Sequence, residues 1–209
     1  MAETKKVILD AGHGGTTDPG AVYQGRQEKN DNLRMALAVG QILSENGVDV
    51  GYTRVQDVYQ SPLQKAQMAN NWEADYFVSF HRNAMPVPGT ASGESLIFSR
   101  GGEAEQMASN INAELGQAGW NDLGTTERPG LIVLRKTEMP AVLVEVGFLD
   151  NPEDNQRFDA HFEHTARAIA DGILNTLRSP EGQPEYYQIQ VGAYAEKDLA
   201  QGLLSQLQA

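Results

Sequence analysis

Four side chains in this 209-residue sequence have the types needed at a catalytic metal. His13 sits in Asp10-Ala11-Gly12-His13-Gly14-Gly15, directly after the apolar run Val7-Ile8-Leu9. His81 follows Tyr76-Phe77-Val78-Ser79-Phe80, and Glu145 follows Ala141-Val142-Leu143-Val144. Glu28 opens the first long helical pattern. Two imidazoles and one carboxylate make the ligand set of a catalytic zinc with one open position, and a further carboxylate nearby can carry protons. There is no cysteine, so thiolate sites are excluded and any metal must rely on His, Asp or Glu.

Each residue also has a plain structural reading. His13 fits a glycine-rich turn near backbone amides, although the turn lacks the lysine and serine or threonine of a nucleotide loop. His81 fits a core histidine, and Glu28 a first-turn acid favoured by the helix dipole. Glu145 resists this treatment: a carboxyl inside Val144-Glu145-Val146 is costly to bury unless paired or metal-bound. Their shared place beyond the carboxyl ends of strands, where open α/β sheets gather their ligands, favours the joint reading.

The positioning elements follow from periodicity. Strands are expected near Val7–Asp10, Val48–Thr53, Tyr76–His81, Glu94–Ser99, Leu131–Leu134 and Ala141–Val146. Several are continuous apolar runs, as in strands covered on both faces. Helices are expected from Glu28 to Gly47, from the cap Ser61-Pro62, and over Ala104, Met107, Ala108, Ile111 and Leu115. A fourth runs from Asn151-Pro152 to Leu177, with a break near Ala160. The expected fold is a three-layer α/β domain: a mixed, mostly parallel sheet of about six strands, flanked by helices on both faces. Residues 1–178 form this catalytic domain, and the polar, proline-punctuated stretch 179–185 reads as a linker. Residues 186–209 carry one strand pattern and one helix pattern, too little to bury a core.

A net charge of −12 argues against nucleic acid or an anionic membrane surface as partner. No apolar stretch is long enough to span a bilayer, and Met1 to Lys6 enter the first strand without the apolar segment of an export signal.

Taken together, Asp10-Ala11-Gly12-His13-Gly14-Gly15, Glu28, Ser79-Phe80-His81-Arg82-Asn83 and Pro140 to Phe148 resemble the zinc-dependent N-acetylmuramoyl-L-alanine amidases of the type-3 family. Tyr52-Thr53-Arg54, Ala69-Asn70, Ala74-Asp75, Gly93-Glu94-Ser95 and Val133-Leu134-Arg135 add to the likeness, which spans roughly residues 5 to 178 in order. The resemblance implies a bacterial cell-wall hydrolase, an autolysin or a phage-type endolysin. Such an enzyme acts at the cell wall on peptidoglycan. It cleaves the amide between N-acetylmuramic acid and the L-alanine of the stem peptide. The resemblance makes His13, Glu28 and His81 the ligands of one Zn2+ per chain and Glu145 the catalytic carboxylate, a general base and then acid toward zinc-activated water. Some division-linked members carry a helical insertion over the metal; the short stretch between His81 and Glu94 leaves no room for one. Tyr187 to Tyr194 resemble the first strand of the sporulation-related repeat, a peptidoglycan-binding module of which about a third is present.

Other polar residues carry less weight. Arg82 reads as a solvated rim arginine or as a contact for a stem-peptide carboxylate, and Asn83 as a loop-orienting residue. His161 and His164 read as surface residues. Two alternatives stay open: another zinc hydrolase, such as an exopeptidase or deacetylase, and a wall-binding module without turnover. A two-metal peptidase would need extra acids, and only Asp10 and Asp18 are candidates.

Overall fold

The computed structural model describes residues 4–178. The tail features at 179–185 and 186–209 lie outside the described residues. Six strands form one sheet: β1 (Lys6–Ala11), β4 (Asp49–Tyr52), β5 (Tyr76–Asn83), β6 (Glu94–Phe98), β7 (Asp122–Glu127) and β8 (Ala141–Phe148). A two-residue hairpin, β2 (Val22–Tyr23) with β3 (Arg26–Gln27), stands apart. The helices are α1 (Glu28–Glu45), α2 (Pro62–Asn71), α3 (Glu103–Gln117), α4 (Ile132–Arg135), α5 (Pro152–Ala160) and α6 (Phe162–Arg178).

The sheet order is β4-β1-β5-β8-β6-β7. The first four strands are parallel, β6 runs antiparallel to β8, and β7 is parallel to β6. Val7, Leu9, Val78, Phe80, Val142, Val144, Leu96 and Phe98 pack with buried residues of α1, α3 and α6 into the larger core. The alternate residues Ile8, Phe77, Ala141, Leu143 and Ile97 face the other way, toward Ala69 of α2 and Leu134 of α4. This is the three-layer mixed sheet expected, with one layer much thinner than the other.

The local signals behave as their chemistry dictates. Ser61 and Gln64 form a reciprocal capping box at α2. The Asn151 side chain accepts from the amides of Glu153 and Asp154. The long final helical pattern breaks between Ala160 and Phe162, as its periodicity suggested.

One expected strand is wrong. Leu131–Leu134 is not extended: Ile132–Arg135 form a single helical turn that buries Leu134, and Thr137 returns its hydroxyl to the carbonyls of Val133 and Leu134. The sixth strand is instead β7, Asp-Leu-Gly-Thr-Thr-Glu. As an edge strand exposed along nearly its whole length, it has no need of apolar alternation and therefore gave no periodic signal.

Candidate active site

The metal-ligand candidates meet beyond the carboxyl ends of β1 and β5. Ligand atoms of His13, Glu28 and His81 lie within 4.8 Å of one another, the one such group among the described residues. His13 follows β1, Glu28 is the first residue of α1, and His81 lies near the end of β5, so three distant segments supply the cluster. The Glu28 carboxylate sits between the rings, with Oε2 at 3.3 Å from His13 Nε2 and Oε1 at 2.9 Å from His81 Nδ1. The rings stand edge to face with centroids 5.0 Å apart.

The surroundings hold the residues of the cluster in place. His13 Nδ1 lies 2.6 Å from Asp18 Oδ1, so Nε2 is the nitrogen turned toward Glu28. Glu28 also accepts from the amides of Ala21 and Arg82 and from the side chain of Asn32, one helical turn on. Two glycines make the space. A Cβ on Gly12 would lie 2.4 Å from the His81 ring, and one on Gly20 would lie 2.5 Å from Glu28 Oε2 and 2.7 Å from His13 Cδ2. Gly20 also has φ +68°, a conformation that glycine adopts freely.

The turn carrying His13 is anchored from below. Lys65 pairs with Asp10 at 2.8 Å and donates to the Ala11 carbonyl; Arg54 donates to the carbonyls of Ala11, Gly12 and Lys29. Asp10, almost fully buried, also accepts from Thr53 and Ser79. Both oxygens of Asp10 are thus engaged within the protein, and Asp18 is engaged by His13.

Glu145 reaches the site through strand register. It pairs with His81 across the parallel β5–β8 ladder and with Ser95 across the antiparallel β8–β6 ladder. Paired residues project to one face, here the thin-layer side. Its Oε2 is buried without a hydrogen-bond partner. Burial pushes its carboxyl above the ordinary range, with His81 pulling the other way. Burial alone would also raise Glu28, but the hydrogen bonds from His13 and His81 outweigh it and hold this carboxyl far below the usual range. Burial disfavours the charged His13 ring, yet Glu28 and Asp18 together lift it to about 9, and Glu28 likewise raises His81 against its own burial.

Arg82 corrects both readings of it. The side chain is 2% exposed and touches neither solvent nor cleft. Its guanidinium bonds Asp31, Asn155 and the Phe148 carbonyl and lies 4.3 Å from the Phe158 ring centroid. Asn83 does orient its loop, its carbonyl accepting from Leu149 and its side chain from Ala84. His161 and His164 are exposed. No helix occurs between Asn83 and Glu94.

Sequence reasoning missed Asp18, Asn32, Arg54 and Lys65 as supports of the cluster. Asn32 was recoverable from its spacing of four from Glu28 on one helix face. Asp18 and Arg54 act from loops and Lys65 from α2 across to the end of β1, contacts that leave no periodic trace.

A mixed α/β sheet bearing a cluster of two imidazoles and a carboxylate at its strand ends, with one further carboxyl in register beside it, defines the catalytic domain of an α/β hydrolase. Residues 7–175 match the family model described as N-acetylmuramoyl-L-alanine amidase, and the chain belongs to that family. Its activity is peptidoglycan hydrolysis as an N-acetylmuramoyl-L-alanine amidase. The chain is 35% identical over 211 residues to the sporulation-specific N-acetylmuramoyl-L-alanine amidase of Bacillus subtilis, covering 98% of this chain and 81% of that one. Among solved structures, an N-acetylmuramoyl-L-alanine amidase from Clostridium difficile 630 superposes with a TM-score of 0.81 at 31% identity, over 86% of this chain and all of that one. The catalytic domain of the amidase CwlV from Bacillus (Paenibacillus) polymyxa superposes with a TM-score of 0.77 at 36% identity, over 83% and 98%.

Proposed function

We propose that His13, Glu28 and His81 hold one zinc ion and that Glu145 moves the proton as the chain cleaves the amide between N-acetylmuramic acid and L-alanine. One observation carries this: a cluster of two imidazoles and one carboxylate adjoins the half-buried Glu145, which is in register with His81 and has one carboxyl oxygen buried without a partner.

The donor set fits the ion. Two imidazoles and one carboxylate are donor types that would hold a catalytic zinc with a position left open, and one donor atom from each lies within 4.8 Å of the others. His13 is oriented through its other nitrogen by Asp18, the usual arrangement for a metal-binding imidazole. Bound there, zinc polarises a carbonyl and makes water a competent nucleophile at neutral pH.

The remaining chemistry belongs to Glu145. As water adds to the lactyl carbonyl carbon, the Glu145 carboxylate accepts its proton. The carbon–nitrogen bond then breaks, and Glu145 returns the proton to the alanine nitrogen, which cannot leave as an anion. The products are a muramyl carboxylate and a peptide with a free amino terminus. A carboxyl raised by burial and lowered by His81 is suited to both directions of transfer.

The site of action is the bacterial cell wall. No helix among the described residues is long and apolar enough to cross a membrane. Residues 1–178 constitute the catalytic domain, and residues 186–209 a peptidoglycan-binding type of fragment after a linker at 179–185; the sequence pattern alone supports that division.

The test is product identity. Purified muropeptides should yield peptides beginning with alanine, seen by mass spectrometry, with release abolished by a chelator and restored by zinc. Cleavage at any other bond, or turnover indifferent to chelation, would reject the reading.

A further inference from the structure

Most basic side chains around the cluster are committed to the protein itself. Lys29 binds Asp57 and the Gly15 carbonyl; Lys65 binds Asp10; Arg54 binds carbonyls; Arg26 and Arg82 both bind Asp31. Arg128 is different. It is exposed, and among the described residues no hydrogen bond or ion pair engages its guanidinium.

Its backbone is nonetheless fixed. The Arg128 amide donates to the Phe98 carbonyl at 3.0 Å, continuing the β6–β7 ladder. In that ladder Ile97 pairs with Thr126, and Ile97 faces the thin layer with Leu143. The two-residue period therefore places Arg128 on the same face of the sheet as Thr126 and Glu145. Outside the two histidines, Arg128 is also the basic side chain that pulls most strongly on the Glu145 carboxyl.

The substrate decides what such a group meets. The glycan strand is neutral, because the lactyl carboxyl of muramic acid is consumed in the scissile amide. The carboxylates left to recognise are those of the stem peptide. A guanidinium fork matches a carboxylate in two parallel hydrogen bonds. In a chain of net charge −12, an uncommitted arginine on the catalytic face is an exception to the overall field.

We propose that Arg128 binds a carboxylate on the second or third residue of the stem peptide, not the terminal one, and that the chain thereby discriminates peptides carrying that group free from peptides carrying it amidated. This rests on the amidase reading and adds to it a determinant of substrate choice.

The experiment uses the zinc-loaded full chain and three disaccharide tripeptides. One has every carboxyl free, one is amidated at the second residue, and one is amidated at the third. Arg128→Gln should raise KM on the free substrate by roughly five- to tenfold with kcat unchanged. On one amidated substrate the wild type should already show the raised KM, and Arg128→Gln should add nothing; that substrate identifies the carboxylate. Arg128→Lys should fall between. An equal loss on all three substrates, no loss on any, or a displaced acid limb of the pH–rate profile without discrimination would each overturn the assignment. Failure of the wild type to cleave any of the three would instead strike the amidase reading itself, and this inference with it.

Discussion

Replacing Glu94 with glutamine should remove a large part of the pH dependence of folding. Glu94 opens β6, is fully buried, and has neither carboxyl oxygen hydrogen-bonded. Burial, reinforced by Asp122 on the paired strand, lifts its carboxyl from 4.5 to about 8. Between those values the folded chain keeps a proton that the unfolded chain has released. Stability from this group is therefore complete below pH 4.5 and lost progressively up to about pH 8. At about 1.4 kcal/mol per pH unit, the interval corresponds to on the order of 5 kcal/mol. Glutamine keeps the shape and cannot ionise. Urea unfolding with chelator present, followed by tryptophan fluorescence, should place Glu94→Gln within about 1 kcal/mol of wild type at pH 5. At pH 9 the variant should be the more stable by on the order of 5 kcal/mol. Because Ser95 beside it pairs with Glu145, the variant should also hold its activity further into alkali. A stability difference that is the same at both pH values would refute the reasoning.

Three further outcomes are expected. Asp18→Ala frees the nitrogen that orients His13 and should weaken zinc binding by about 10- to 100-fold with little change in Tm, read by competition titration with a chelating dye. Gly20→Ala drives a methyl group into Glu28 and His13 and should lower zinc occupancy, measured by elemental analysis, in a protein whose circular dichroism stays native. Without metal, His13 holds its proton up to about pH 9, so zinc must displace it; affinity should rise about tenfold per pH unit between pH 7 and 9, and a flat profile would count against that protonation state.

The legible parts of this fold were those in which a buried face imposed a period. The runs Val7–Asp10, Tyr76–His81 and Ala141–Val146 declared themselves because both faces of the central strands are covered. The break after Ala160 and the caps at Ser61 and Asn151 carried their own chemistry. β7 was illegible because an exposed edge strand buries almost nothing, and the apolar Leu131-Ile132-Val133-Leu134 was deceptive, with Leu131 and Ile132 largely exposed. At the site, the residue types and strand ends pointed to His13, Glu28, His81 and Glu145. Their supports were hidden because Asp18, Arg54 and Lys65 act across loops or between elements. Arg82 misled because a charged residue next to His81 suggests the cleft, whereas a buried aspartate and an aromatic ring claim it from within.

The most direct test of the central claim is metal content and muropeptide turnover measured together on Glu145→Gln and wild type. The account predicts one zinc per chain in both proteins, with kcat lower in the variant by about 10²- to 10⁴-fold. A variant that keeps its zinc and cleaves at nearly the wild-type rate would contradict it.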